Sequence, residues 1–110
     1  MPVMQFETSV AAGGANSNFV AGSAFEFARQ RQIVSIGITA AATGTFITVQ
    51  SGSDIILEES PPYVATLFPI VPDQMFYNDV MESGDRLVIR ARNPTGGAVI
   101  HRGIIQISPL

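Results

Sequence analysis

The sequence predicts an all-β protein: an antiparallel β-sandwich of eight or nine short strands. Short apolar stretches recur along the 110 residues and are separated by glycine, asparagine, proline and serine, which is how strands and turns are punctuated. No stretch has the periodicity of a long amphipathic helix. A chain of this length forms one domain, residues 1–110, with a core of its own.

The first half of the chain supplies the clearest alternation. Val3–Val10 alternates between apolar and polar side chains, and we expect residues 1–18 to form an extended arm or an edge strand. Phe19–Ala28 again repeats at every second position, which predicts a strand with its phenylalanines in the core. Gln30–Ala40 is the most regular strand, because valine, isoleucine and alanine recur on one face. The expected core rings are Phe25, Phe27 and Phe46.

The second half is less uniform. Strands are predicted at 45–50, 55–57, 85–92 and 98–108. Pro61 and Pro62 forbid regular pairing, and Tyr63 follows them at the start of an apolar segment. The segment 74–82 is ambiguous, and we expect it to hold one short helical turn.

The last two strands predict a specific surface. If residues 93–97 form a hairpin loop, Arg92 lies opposite Ala98 and Arg90 lies opposite Ile100. The same register places Arg86, Arg90, Arg92 and Arg102 on one outward face. The residues that it turns inward are Leu87, Ile89, Ala91, Val99, His101, Ile105 and Ile107.

Composition limits the classes of function. Only 14% of the residues are charged, against roughly 25% in a typical domain. The net charge is −3, which argues against a nucleic-acid partner. The low charge of so small a domain predicts that part of its surface is buried against a protein partner or another copy, so we expect a homo-oligomer. No apolar run reaches the roughly 20 residues that would span a membrane.

Catalytic residues are scarce. His101 is the one histidine, and there is no cysteine, so we expect no enzyme activity and no cofactor. The acidic residues Asp73, Asp79, Glu82 and Asp85 lack calcium-loop spacing. We therefore expect them to cap turns or to be solvated, and we expect no metal site.

The predicted partner interface includes this outward face of four arginines. Arginine beside apolar side chains is typical of protein interfaces, and it would dock onto an acidic protein surface. The alternative is a solvated face whose arginines pair with Glu58 and Glu59. The stiff Pro61–Tyr63 element is a second candidate contact. The full predicted set is Met4, Phe6, Pro61, Pro62, Tyr63, Arg86, Arg90, Arg92 and Arg102.

The segment from Val80 to Gly97, with Gly84-Asp85-Arg86-Leu87 leading into an alternating strand and Asn93-Pro94-Thr95-Gly96-Gly97 closing it, resembles segments of viral and phage β-sandwich proteins. With its small size and its lack of lysine and cysteine, the chain resembles the decoration (cement or staple) proteins of tailed bacteriophages over its full length. The resemblance implies a jelly-roll-like fold and a virion protein, made in the bacterial cytoplasm, that binds the capsid exterior and bridges major capsid subunits. It transfers no catalytic residue.

A carbohydrate- or receptor-binding module of a phage tail or fibre is the alternative. Such a module needs exposed aromatic rings beside acid or amide groups. The candidates are Tyr63, Tyr77, Asn78 and Asp79. The absence of tryptophan weakens this alternative, because sugar stacking favours large rings.

Overall fold

The computed structural model describes residues 3–23, 25–66, 68–69, 75 and 77–109, without the side chain of residue 109. These residues form nine strands and no helix. The strands are β1 (Val3–Val10), β2 (Ala15–Asn16), β3 (Gln32–Ala40), β4 (Phe46–Ser51), β5 (Asp54–Ser60), β6 (Tyr63–Val64), β7 (Tyr77–Met81), β8 (Leu87–Arg92) and β9 (Val99–Pro109).

The strands form two sheets. Sheet A has the order β1-β9-β3, and β3 shares its outer edge between β7 and β6. β7 pairs antiparallel with residues 32–36 of β3, and β6 pairs parallel with its last two residues, Thr39 and Ala40. Sheet B has the order β2-β8-β4-β5. The predicted all-β sandwich is therefore confirmed.

The pairing between strands is nested. β1 pairs with β9, β2 with β8, β3 with β7, and β4 with β5, all antiparallel. This is one long antiparallel hairpin wound onto itself. The winding is closed by β3 against β9 and by β4 against β8. The result is the strand order of a jelly roll, which the sequence alone could not specify.

The core lies between the two sheets and comes from the alternating positions of the long strands. β3 contributes Val34, Ile36 and Ile38, which are buried, while β9 contributes Ile105. Sheet B faces them with a matching set from β4 and β8. These buried side chains are Ile47, Val49, Leu87, Ile89 and Ala91. The inward positions predicted for these strands are correct because alternate side chains point to opposite faces of a strand.

The edge strand β1 is anchored by an aromatic contact. Phe6 is buried, and its ring stacks on Phe19 with the centroids 4.8 Å apart and an interplanar angle of 12°. His101 lies beside them, with its ring centroid 5.7 Å from that of Phe19. His101 is fully buried, as the inward position predicted for it requires.

The predicted hairpin between β8 and β9 is wrong. β8 belongs to sheet B and β9 belongs to sheet A, so the loop after Arg92 crosses from one sheet to the other. The residues predicted to face inward do so. However, those of β8 and those of β9 lie in different sheets and face each other across the core, whereas a hairpin would place them next to each other in one sheet. Asn93 holds this crossing, because its side-chain amide donates to the carbonyls of Val10 and Gly97 at 2.9 Å each.

Two other predictions need correction. Phe19–Ala28 is not a strand: its described residues form turns, with one isolated bridge from Phe27 to Arg86. Phe27 is exposed, and Phe25 and Phe46 are only partly buried. The described part of the ambiguous segment 74–82 forms β7 where a helical turn was expected. Gln74 and residue 76 lie outside the described residues.

Candidate functional site

The outer face of sheet B carries three of the predicted arginines. Alternation along β8 buries Leu87, Ile89 and Ala91, so Arg90 and Arg92 point outward, and Arg86 directly precedes the strand on the same side. All three side chains are exposed. We call this surface, made by Arg86, Arg90 and Arg92 with their cross-strand neighbours, the arginine face.

Arg102 does not belong to this face. It lies on β9 in sheet A, where it pairs with Glu7 on β1 at 3.0 Å. The expectation that it joins the other arginines depended on the β8–β9 hairpin, which the fold replaces by a crossing between sheets. Four arginines therefore separate into a group of three and one that joins neighbouring strands.

A groove runs along the arginine face. One part has a volume of about 580 Å³ and is lined by Ser17, Thr48, Glu59, Arg90 and Arg92, among others. A second hollow of about 350 Å³ shares Ser17 and Arg90 with it and extends to Gln50 and Arg86. Arg90 therefore lies where the two parts meet.

The three arginines differ in their partners. Arg86 pairs with Glu26 at 2.8 Å. Arg92 pairs with Glu59 at 3.1 Å, and its guanidinium lies 4.8 Å from the centroid of the Phe46 ring. Among the residues that the structure describes, Arg90 has no carboxylate partner.

The pairing of Arg86 persists into acid. A hydrogen bond from the backbone N–H of Gly22, and then the bond from Arg86, lower the pKa of Glu26 below its ordinary value. Glu26 therefore keeps its negative charge, and Arg86 keeps its partner, at pH values where an ordinary glutamate begins to protonate. The uncompensated positive charge of the face belongs to Arg90.

Exposed apolar side chains lie on the same face, on the Arg86 side of Arg90. Phe27 lies opposite Arg86, and Ile55 lies opposite Gln50. Directly opposed residues in antiparallel pairs point to the same side of the sheet, so both belong to the arginine face. Their exposed fractions are 53% and 55%. A face that combines a free cation with exposed apolar groups has a composition typical of protein-binding surfaces.

The side chain of Asn18 holds the edge of β8, the strand that carries Arg90 and Arg92. Its side-chain carbonyl accepts the N–H of Ile89 at 3.1 Å, and its amide donates to the carbonyl of Leu87 at 3.1 Å. The same carbonyl oxygen also accepts the N–H of Val20. One buried side chain thus takes the place of a neighbouring strand along β8. Sequence reasoning missed this residue, because its neighbours predict only a flexible loop.

The buried imidazole of His101 is held by one side-chain hydrogen bond. Thr45 Oγ1 and His101 Nε2 share a hydrogen bond of 3.1 Å, and no described group meets hydrogen-bond geometry with Nδ1. Burial lowers the pKa of His101, and the backbone of Val99 acts in the opposite direction without making a well-formed bond. Among the described residues, no carboxylate is bonded to His101 to orient it as a general base.

The acidic cluster does not converge. Glu82 pairs with Arg31 at 3.0 Å, and Asp85 accepts the backbone N–H of Glu82 at 3.0 Å across a turn. Asp79 lies on β7, and Asp73 is outside the described residues. Within the described ranges, no group of three histidine, cysteine or acidic side chains is close enough to hold a metal ion. No described helix is long and apolar enough to cross a membrane.

The remaining predicted contact residues lie apart from the arginine face. Phe6 is buried and Met4 is partly buried, both on the inner side of β1, because they follow the core-facing alternation. Pro62 is buried, whereas Pro61 and Tyr63 are exposed beside the edge of sheet A. The predicted contact set is therefore divided between the two sheets.

The residues considered for sugar binding do not form one platform. Tyr63 pairs near the end of β3, opposite Thr39. Tyr77 and Asp79 lie opposite Ile36 and Val34, which are core positions. Their side chains therefore point to the inner side of sheet A, away from the exposed ring of Tyr63.

Comparison of the chain with family models, curated proteins and solved structures found no match.

Proposed function

We propose that this chain is a structural virion protein that binds the outer surface of a phage capsid and stabilises contacts between major capsid subunits. The observation that carries the proposal is Arg90, an exposed arginine with no carboxylate partner among the described residues, set in a groove on a face that also carries exposed apolar side chains. The phage capsid as the partner comes from the resemblance of the chain to decoration proteins.

Arg90 can contribute binding energy because it has no internal ion pair to lose. An arginine that already pairs with a carboxylate must exchange that partner for a new one, and the net gain is small. Arg90 exchanges only water for an acidic group on the partner. Its planar guanidinium can hold a carboxylate through two hydrogen bonds.

Exposed apolar groups supply the rest of the interaction. Phe27 and Ile55 are each more than half exposed, and covering them removes apolar surface from water at about 25 cal/mol per Å². The charge of Arg90 then sets the orientation of the chain, since the protein as a whole has a net charge of −3. An acidic partner would repel most of this surface and attract the arginine face.

Stabilisation of the capsid follows from mass action. A protein that binds the assembled lattice and not the free subunits shifts the equilibrium toward the lattice. The sandwich suits this role because its close-packed core resists deformation. No catalytic turnover is required.

Co-sedimentation of the purified chain with capsids from its source tests the proposal. We expect saturation at hundreds of copies per particle (the number of lattice sites in a capsid) and increased resistance of the particles to heat. Arg90→Glu should weaken binding by at least about tenfold, because a favourable charge becomes a repulsive one. Arg29→Glu makes the same change at an exposed arginine that does not line the groove, and it should bind as the wild type does.

Binding at only a few copies per particle would contradict decoration of the lattice and indicate a vertex or tail position. Absence of binding, together with a positive result on a glycan array, would replace the proposal by a carbohydrate-binding function. Equal loss of binding in Arg90→Glu and Arg29→Glu would show that the arginine face is not the contact.

A further inference from the structure

Two edge strands of the sandwich, β5 and β1, are built differently. β5 at the edge of sheet B shifts register twice against β4, carries Glu58 and Glu59, and holds Glu59 at a positive φ of 40°. Bulges and charges are the usual devices that keep an edge strand from pairing with another chain. β1 at the edge of sheet A pairs with β9 over eight consecutive residues without a shift.

The outer edge of β1 has no strand partner within the part of the chain that the structure describes. Alternate backbone N–H and C=O groups of an edge strand point away from its sheet and can pair with another strand. Glu7 is the one charged residue in Val3–Val10, and Arg102 neutralises it at 3.0 Å. A second chain can therefore approach this edge without charge repulsion.

We infer that β1 pairs antiparallel with β1 of a second copy of this chain, across a two-fold axis perpendicular to sheet A. This joins two sheets A into one continuous sheet. β1 belongs to sheet A, whereas the arginine face belongs to sheet B. Pairing of β1 between two copies is therefore independent of the proposed capsid contact.

The alternation of β1 restricts the register. Paired residues must point to the same face if the cores of the two copies are to lie on the same side. Two registers near the middle of the strand satisfy this condition, with the axis at Phe6 or at Glu7. The axis at Glu7 would place two carboxylates directly opposite each other, which is unfavourable. The axis at Phe6 is therefore the register that we assign.

This register makes β1 its own complement. Gln5 lies opposite Glu7 of the partner subunit, where its amide can donate to the carboxylate, and Val3 lies opposite Ser9 of the partner subunit. Met4 and Thr8 are partly buried on the core-facing side, and they lie opposite each other across the axis. A two-fold contact requires a surface that complements itself, and this property favours a second copy over an unrelated strand.

Cysteine cross-linking tests the register directly, because the chain contains no cysteine. Val3 and Ser9 are exposed, so Val3→Cys and Ser9→Cys leave the core intact. The double variant should form a disulfide-linked dimer on mild oxidation, since opposed residues lie within disulfide distance. Either single variant should not, because its two cysteines would be roughly 20 Å apart.

Substitutions that change the charge at Gln5 provide a second test, because a negative and a positive side chain should have opposite effects on the stability of the dimer. Sedimentation should show a dimer whose population rises over about two orders of magnitude in concentration. Gln5→Glu places like charges opposite Glu7 of the partner subunit at two places, and it should weaken the dimer about fivefold. Gln5→Lys should strengthen it by a similar factor. A monomer at every concentration, or a dimer without the cross-link of the double variant, would overturn the inference.

Discussion

The ring of Phe6 on β1 lies directly against the backbone of Gly103 on β9. The two residues are opposite each other in the antiparallel pair, and a Cβ atom at position 103 would overlap the ring. The ring then stacks on Phe19, which belongs to the loop that leads toward sheet B. A glycine at 103 thus makes room for the ring that fixes the edge strand to the core.

Gly103→Ala should therefore destabilise the protein by about 1–3 kcal/mol, because the added methyl group must displace the Phe6 ring or shift β1. Urea unfolding measures this change. Gly96→Ala is the matched control: a Cβ at position 96 meets no atom within 4 Å, and we expect a change within about 0.5 kcal/mol.

Phe6→Leu checks the cause. A smaller side chain at position 6 leaves space for the methyl group, so the two substitutions together should destabilise by less than the sum of their separate effects. Additive effects would show that the strain at position 103 does not come from the ring.

Asn18→Ala should destabilise by about 2–3 kcal/mol, because it leaves the Ile89 N–H and the Leu87 carbonyl without their buried partner. Native-state hydrogen exchange gives a local readout. The Ile89 amide should exchange faster in the variant by more than the loss of global stability explains. If the exchange rate of the Ile89 amide rises only as much as the loss of global stability explains, Asn18 does not protect the edge of β8.

Arg90→Ala and Arg92→Ala should differ in stability. Arg92 loses its exposed ion pair with Glu59 and its contact with Phe46, together about 0.5–1.5 kcal/mol. Arg90 loses no ion pair, so its substitution should change the free energy of unfolding by less than about 0.5 kcal/mol. Thermal and urea unfolding of both variants test this difference. A larger loss at Arg90 would mean that it has a structural partner and is not held free for binding.

The free energy of unfolding should decrease as the pH falls, because His101 is buried in its neutral form. Burial lowers the folded-state pKa of this histidine below its ordinary value of 6.5, so the unfolded chain takes up a proton first. The contribution of the neutral histidine is complete above the unfolded pKa and is lost as the pH falls toward the folded pKa. Urea unfolding at about pH 7.5 and about pH 5 measures the loss.

His101→Gln is the control for this pH dependence, because glutamine can bond Thr45 but does not titrate in this range. Every other titratable group is the same in both proteins. The difference in stability between wild type and variant should therefore narrow as the pH falls. A difference that stays constant would show that His101 does not titrate on unfolding.

The sequence predicts which residues of β8 and β9 are buried, but not which strand pairs with which. Leu87 and Ile89 face the core whether β8 forms a hairpin with β9 or crosses over it to the other sheet. Alternation gives the same pattern in both cases. The choice depends on long-range contacts, such as the bonds from Asn93 to Val10 and Gly97, which have no local signature.

Alternation along a single strand predicts part of the arginine face, but it cannot predict the part that depends on which strands pair. Arg90 and Arg92 share a strand, so their common side follows from alternation alone, and Arg86 directly precedes them. Arg102 is on another strand, so its position depended on the pairing. The exposure of Phe27 does not follow from alternation either, because the described residues of 19–28 form turns where the pattern predicts a strand.

The pairing of β1 with β9 also determines how the molecule responds to mechanical load. Val3 at the start of β1 lies opposite Gln106 near the end of β9, so these two strand ends lie at the same end of sheet A. A force that pulls them apart would break the β1–β9 pairing one residue pair at a time. A force that presses on the faces of the sheets acts on the close-packed core as a whole. We therefore expect the fold to resist pressure on its faces better than a force that separates these ends of β1 and β9.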